Sequence, residues 1–218
     1  MKISKDTMSL LKNYAAINSN LLLKPGNKLA TVSVNKTVAA TSTVSESFPV
    51  EFGIYDLNAF LSAISMFDEP ELTFADKFVT IAQDNSKIKY YAADTTVLSY
   101  PSKDIQFPEA QIEFKLTSAN MSSIQRTAGC LKASDVTIEG NGSEITLIVG
   151  DKKNPTGNTY ETIVGSTDLT FKANIKIENL KMINDDFNVS ISNKRISRFA
   201  SVSSDLVYFV AVEADSQF

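Results

Sequence analysis

The chain has 218 residues, 43% of them hydrophobic and 21% charged, the balance of an ordinary globular protein rather than of a disordered or membrane-spanning one. It contains no His, no Trp and one Cys, Cys130, so it can form no Ser-His-Asp or Cys-His catalytic unit, no internal disulfide and no thiolate zinc site. Lys and Arg number 21 against 25 Asp and Glu, a formal charge of −4, which argues against a surface that grips nucleic acid all over. The start, Met1-Lys2-Ile3-Ser4-Lys5-Asp6, lacks the apolar core of a signal peptide, and the longest apolar run, Leu206 to Val212, is far too short to cross a bilayer. The expectation is a soluble protein of a reducing compartment.

In chain order, the first predicted element is a helix over Asp6 to Ile17. Met8, Leu11 and Ala15 share one arc, flanked by Leu10 and Tyr14, with Lys5, Ser9, Lys12 and Ala16 opposite. Turn residues at Pro25-Gly26-Asn27, Asn35-Lys36, Ala75-Asp76, Asp84-Asn85 and Ser203-Ser204-Asp205 separate strand-like runs. These runs include Leu29–Val34, Phe78–Ala82, Lys87–Ala92 and Leu206–Val212, and the connections are too short for parallel crossovers. A second helix is predicted over Leu57 to Met66, capped by Asp56. A third runs from Ser118 to Leu131 with Ser118 as its cap, Met121, Ile124, Ala128 and Leu131 on one side and Arg126 opposite. Val136–Glu139 and Glu144–Leu147, joined through Gly140-Asn141-Gly142-Ser143, read as a hairpin in which Asn-Gly supplies positive φ. A short fourth helix is expected over Glu178 to Asp185, carrying Leu180 and Ile183.

Three of these helices follow one device, an alternating strand running straight into the helix. Aligning Ile54, Leu116 and Ile177 gives intervals of 62 and 61 residues, and Ile3 opens the same pattern 51 residues before Ile54. The chain therefore reads as an α+β protein of two similar domains, 1–99 and 111–218, each made of two β-α-meander units. A Pro-bearing connector over 100–110 joins them. Chance similarity of amphipathic segments is the competing explanation of the repeat.

No reacting constellation can be assembled. Gly140-Asn141-Gly142 has no helix after it and so is no phosphate loop. The acidic stretches Asp68-Glu69-Pro70-Glu71 and Asp185-Asp186 have no third ligand nearby and read as solvated loop charge rather than a cation site. Cys130 reads as a small buried filler. No catalytic residue, metal or cofactor is assigned, and enzymatic activity is not expected.

Charge placement is the remaining signal. Residues 1–18 carry +2 (Lys2, Lys5 and Lys12 against Asp6) and 114–132 carry +3 (Lys115, Arg126, Lys132), whereas 54–66 and 176–186 each carry −1. A protein basic on one helical layer and acidic elsewhere suits one that encloses a polyanion. A lysine on the polar face of a surface helix is ordinary taken singly; the matched positions across the repeat are what point to a common role.

Lys2-Ile3-Ser4-Lys5-Asp6-Thr7 with Leu10-Leu11-Lys12-Asn13, then Ile54-Tyr55-Asp56-Leu57-Asn58-Ala59-Phe60-Leu61, then Val210-Ala211-Val212-Glu213-Ala214-Asp215 resemble the sliding clamps of T-even-type bacteriophages, at the start, middle and end of the chain. The resemblance implies clamp-type domains, with antiparallel sheets outside and helices lining a ring of three subunits around duplex DNA. It also implies tethering of the phage replicative DNA polymerase, an ATP-dependent clamp loader, late transcription factors as further partners, and the cytoplasm of the infected bacterial host. By position, Lys5, Lys12, Arg126, Lys132 and Lys181 would face the DNA. Lys132 lies about a third of a turn from Arg126, and the second helix has no basic residue. Partner peptides would dock at the connector residues Tyr100, Pro101, Ile105, Phe107 and Pro108, side chains that plain packing of a linker onto the sheet explains equally. Subunits would join through edge strands, with Lys87–Ala92 and Thr159–Val164 as candidates. A β-rich virion structural or assembly protein is the competing class.

Overall fold

A computed structural model describes residues 1–154 and 156–218, which form two compact units, Met1–Asp104 and Ile105–Phe218.

The first unit opens on helix α1 (Lys5–Ile17). Ser4 caps it by accepting a hydrogen bond from the Thr7 amide, and it buries Thr7, Leu10, Leu11 and Tyr14. That i, i+3, i+4, i+7 spacing centres the core face on Leu10–Leu11 and leaves Met8 and Ala15 at its margin. Strand β1 (Leu21–Leu23) pairs with β4 (Phe52–Ile54), Leu21 opposite Ile54. Pro25-Gly26-Asn27 therefore starts a new strand rather than closing a hairpin: β2 (Gly26–Val32) turns at Asn35-Lys36 into β3 (Val38–Phe48). The left-handed φ of 58° at Lys36 makes that reversal. Helix α2 (Leu57–Ser65) follows β4 and is capped by Asp56, whose carboxylate accepts from the Ala59 amide. Next comes an antiparallel three-stranded sheet of β5 (Glu71–Phe74), β6 (Phe78–Gln83) and β7 (Ser86–Tyr91). Helix α1 packs against α2 and β3. The core closes around Phe52, which is fully buried and meets Phe60 and Phe74 edge-on or tilted.

In the second unit β8 (Ile112–Leu116) leads into α3 (Ser118–Leu131). The cap is Thr117, one residue before the predicted Ser118. Its side chain and that of Asn120 satisfy each other's backbone amides in a capping box. Two antiparallel sheets complete the unit. One has the order β11 (Tyr160–Ser166), β10 (Glu144–Gly150), β9 (Asp135–Asn141), β12 (Thr170–Lys176). The other runs β15 (Val207–Ala211), β14 (Ile196–Ser201), β13 (Phe187–Ser192), β8. The β9–β10 hairpin is tighter than the sequence suggested. Asn141 stays in the strand, its side chain accepts from the Ser143 and Glu144 amides, and Gly142 alone takes a positive φ, +84°. Phe187, Phe199 and Tyr208 stack edge to face in the core, and burial pushes the Tyr208 hydroxyl up to about 12.

The four-fold repeat is only partly realised. Met1–Ser4 forms no strand ahead of α1. The expected fourth helix is a single 3-10 turn over Ile177–Asn179, with irregular chain beyond it. Lys176 offers that turn no side-chain cap, and the buried pair is Leu180 with Met182, a two-residue spacing that an α-helix cannot place on one face.

Candidate nucleic-acid interface

Helices α1 and α3 carry three of the five cations that the sequence singled out. On α1, Lys5 and Lys12 are exposed on the face opposite Leu11 and Tyr14. On α3, Arg126 is exposed opposite Met121, Ile124 and Ala128. Its guanidinium bonds back to the Ser122 carbonyl and the Ser123 hydroxyl, at 3.4 and 3.5 Å, which lays it along its own helix. Lys132 is not helical. It is the C-cap residue, in the left-handed region at φ 52°, exposed at the negative end of the α3 dipole. Lys181 is exposed but lies in the irregular chain after the 3-10 turn, so no helix presents it. The outward positions of α2 are Asn58, Ala59, Ser62 and Ser65, without charge.

Each basic helix is held at its N-terminus by a carboxylate from far along the chain. At α1 this is Glu46 on β3, which accepts hydrogen bonds from the Ser4 amide and from the Thr7 hydroxyl at 2.5 Å. At α3 it is Asp186, which accepts from the Ser118 amide at 2.8 Å and pairs with Lys115 at 3.6 Å. A negative charge at the positive end of a helix dipole stabilises that end and fixes its position. Burial pushes the Glu46 carboxyl up, but the hydrogen bonds from Thr7 and Ser4 outweigh it and hold it below the usual glutamate range. The Ser118 amide, with Lys115 adding to it, likewise holds Asp186 low. Asp185 and Asp186 are therefore not solvated loop charge. Asp185 accepts from the hydroxyls of Ser201 and Ser203, and Asp186 anchors α3.

Because the folded-state pKa of Glu46 is depressed, its contribution is fully present above the ordinary value of 4.5 and is lost as pH falls through the lower folded value. Glu46→Gln should therefore lower stability at neutral pH by about 1–3 kcal/mol. The deficit relative to the parent should shrink as acid protonates Glu46 in the parent, and denaturant unfolding at pH 7 and pH 3 measures both.

The connector residues separate into two groups. Tyr100 and Pro101 line a cavity of about 430 Å³ in the first unit, together with Leu22, Lys24, Lys28 and Lys103. The Lys24 ammonium sits 5.7 Å from the centre of the Tyr100 ring, and Lys28 pairs with Asp104 at 2.7 Å. Ile105, Phe107 and Pro108 belong to the second unit, where the Phe107 ring lies 6.3 Å from Phe209 of β15. Of the edge-strand candidates, β7 is the last strand of its sheet, with Lys87, Lys89 and Tyr91 exposed along one face. β11 is the last of its own, with Glu161 and Ile163 exposed. Cys130 is exposed, not buried: it sits two residues beyond Ala128, about 200° around the helix from the core face. Among the described residues no three metal-ligating side chains come together, and no helix is long and apolar enough to cross a membrane.

Two α+β units of antiparallel sheet carrying amphipathic helices, of which α1 and α3 present cations outward, have the architecture of clamp-type domains. Known proteins place the chain in the same class. Residues 4–98 match the family described as DNA polymerase processivity factor, and residues 113–214 match the C-terminal family of the gp45 sliding clamp. The sliding clamp of Vibrio phage KVP40 is 34% identical over 98% of this chain and 100% of its own length. The sliding clamp of Enterobacteria phage T4 is 32% identical over 99% and 98%. At the level of fold, A. fulgidus PCNA, solved with the C-terminal region of FEN-1 bound, aligns with a TM-score of 0.69 at 12% identity, covering 96% of each chain. The chain belongs to the sliding clamps of bacteriophages and is a processivity factor of phage DNA replication.

Proposed function

We propose that three copies of this chain close head to tail into a ring around duplex DNA, inside the cytoplasm of the infected bacterium. In that ring α1 and α3 turn Lys5, Lys12 and Arg126 toward the phosphates, with Lys132 and Lys181 beside them. The observation that carries the reading is the matched presentation of cations on α1 and α3, each helix anchored by a carboxylate at its N-terminus, in a chain whose net charge is −4. The inward cations attract the polyanion while the acidic remainder keeps it off the outside.

Retention follows from topology. A closed ring leaves a duplex only by opening, so its contacts need be no more than weak, sequence-independent phosphate contacts that permit sliding. The clamp performs no chemistry and takes no cofactor. An ATP-driven loader opens and closes it, and the polymerase is tethered through a short apolar peptide. The docking place is the cavity lined by Tyr100 and Pro101 in the 100–110 connector between domains 1–99 and 111–218, with Ile105, Phe107 and Pro108 as separate candidates in the second unit. Late transcription factors are further partners. Peptide capture of this kind has support from the PCNA structure solved with a bound C-terminal region.

The subunit joint pairs β7 of one copy with β11 of the next. The exposed faces are complementary, with Lys87, Lys89 and Tyr91 on one and Glu161 and Ile163 on the other. Addition of the protein to its cognate polymerase should yield long products only with loader and ATP present. No stimulation, together with recovery of the protein in purified particles, would instead identify a virion component.

A further inference from the structure

The two sheets that end in β7 and β11 each have a terminal segment of the chain paired along the opposite edge. In the first unit, Met1 pairs with Leu72 on the outer side of β5, each backbone accepting from the other at 2.7 and 2.8 Å. Ion pairs from the Met1 amino group to Glu71 and from Lys2 to Glu69 flank that pairing. In the second unit, the segment after β15 lies along the outer side of β12. Lys172 and Gln217 exchange both backbone hydrogen bonds, at 2.9 and 2.8 Å. The Asn174 carbonyl accepts from the Glu213 amide, and the Asn174 amide donates to the Ser216 hydroxyl. The outward-facing polar groups of Lys172 and Asn174 are thus all satisfied, so they offer no template for another strand.

The second cap is pinned from the side. The Thr137 hydroxyl donates to the Asn174 side-chain oxygen and orients that amide, whose nitrogen donates to Asp215 at 3.1 Å. The Lys152 ammonium reaches the same carboxylate at 2.9 Å, with Asp135 at 3.8 Å and Glu213 at 3.7 Å. Only 15% of the Lys152 side chain and 7% of the Asp135 side chain are exposed. Without the lysine, three carboxylates on two different segments, Asp135 on β9 and Glu213 and Asp215 on the terminal segment, would face one another without the counter-charge that bridges them.

We propose that Lys152 pins Glu213–Gln217 over the β12 edge, so that a second copy of this chain can add to this sheet only at β11. Lys152 thereby determines which edge enters assembly, and the inference rests on the reading that subunits join by edge-strand pairing. One edge left open per sheet gives a head-to-tail contact that can close into a ring, whereas a second open edge would allow branching and continued growth.

The test uses the full chain carrying Lys152→Met, with Lys194→Met, an exposed lysine outside this cleft, as the control. Amide hydrogen exchange at Lys172 and Gln217 should quicken by about tenfold or more. Sedimentation should show species larger than the parent oligomer, growing with concentration, and these should persist when Ile163→Asp blocks β11. The control should alter neither. Asp215→Asn, at a largely exposed site, should give the same shifts in milder form and covers the case in which Lys152→Met fails to fold. Unchanged exchange in both variants would show that Lys152 is not the pin, and faster exchange with no larger species would show that the segment does not guard the edge. A monomeric parent would instead remove the ring reading, before any variant is considered.

Discussion

Reversing Lys5, Lys12 and Arg126 together to Glu should leave the oligomer intact and reduce processive synthesis by at least about tenfold at low salt. All three side chains are exposed and lie opposite the buried faces of their helices, so the fold should lose no more than about 0.5 kcal/mol for each. The effect on DNA is much larger. Each neutralised phosphate contributes about 0.9 to the slope of log affinity against log salt, and reversal turns every such attraction into a repulsion, repeated in each subunit. The deficit should narrow as ionic strength rises, because screening removes the parent's attraction and the variant's repulsion alike. Primer extension over a salt series, with sedimentation to confirm the oligomer, measures both. An equal loss at every salt concentration would mean that the variant acts through structure or loading and not through phosphate contacts.

The second large effect is expected at the proposed subunit joint. Ile163 on β11 is 58% exposed and Tyr91 on β7 is 67% exposed, which is costly surface to leave in water unless another copy covers it. Burying such an isoleucine is worth about 1.5–3 kcal/mol. Ile163→Asp forfeits that and adds a charge at the joint, so each interface should weaken by a hundredfold or more, on the order of 3 kcal/mol. The variant should sediment as a folded monomer at concentrations where the parent forms the proposed trimer, and processivity should vanish with the proposed ring. Glu161→Lys should weaken the joint less, and Lys89→Glu combined with it should restore part of the loss, because the two strands then carry opposite charges again. Failure of that swap to restore association would place Glu161 and Lys89 in different interfaces.

The sequence disclosed the elements whose signal is local. Helices α1, α2 and α3 appear where apolar residues recur at three and four positions, and Asp56 was identifiable as a cap because capping is a contact between near neighbours. The edge strand β7 was legible as a run between turn residues, and Thr159–Val164, named only as a candidate edge, falls on β11. The fourth helix misled because Leu180 and Ile183 have helical spacing, while the chain instead buries Leu180 with Met182 and gives the Ile183 amide to the Tyr208 hydroxyl. That partner lies 25 residues away and leaves no local trace. Glu46 and Asp186 were missed for the same reason: each stands at a helix N-terminus tens of residues distant, and only the three-dimensional arrangement shows that the two basic helices are anchored by one common device. Cys130 was misplaced because its neighbour Ala128 is buried, and two residues along a helix is nearly the opposite face.

The most direct measurement loads the protein onto a closed circular duplex, removes free protein and loader, and then cuts the circle once. If enclosure and not grip holds the clamp, it should remain on the intact circle for many minutes and run off within seconds of linearisation, and a bulky block at both ends should restore retention. Equal retention on circular and linear DNA would contradict the account, because it would mean that the protein holds the duplex by contact alone.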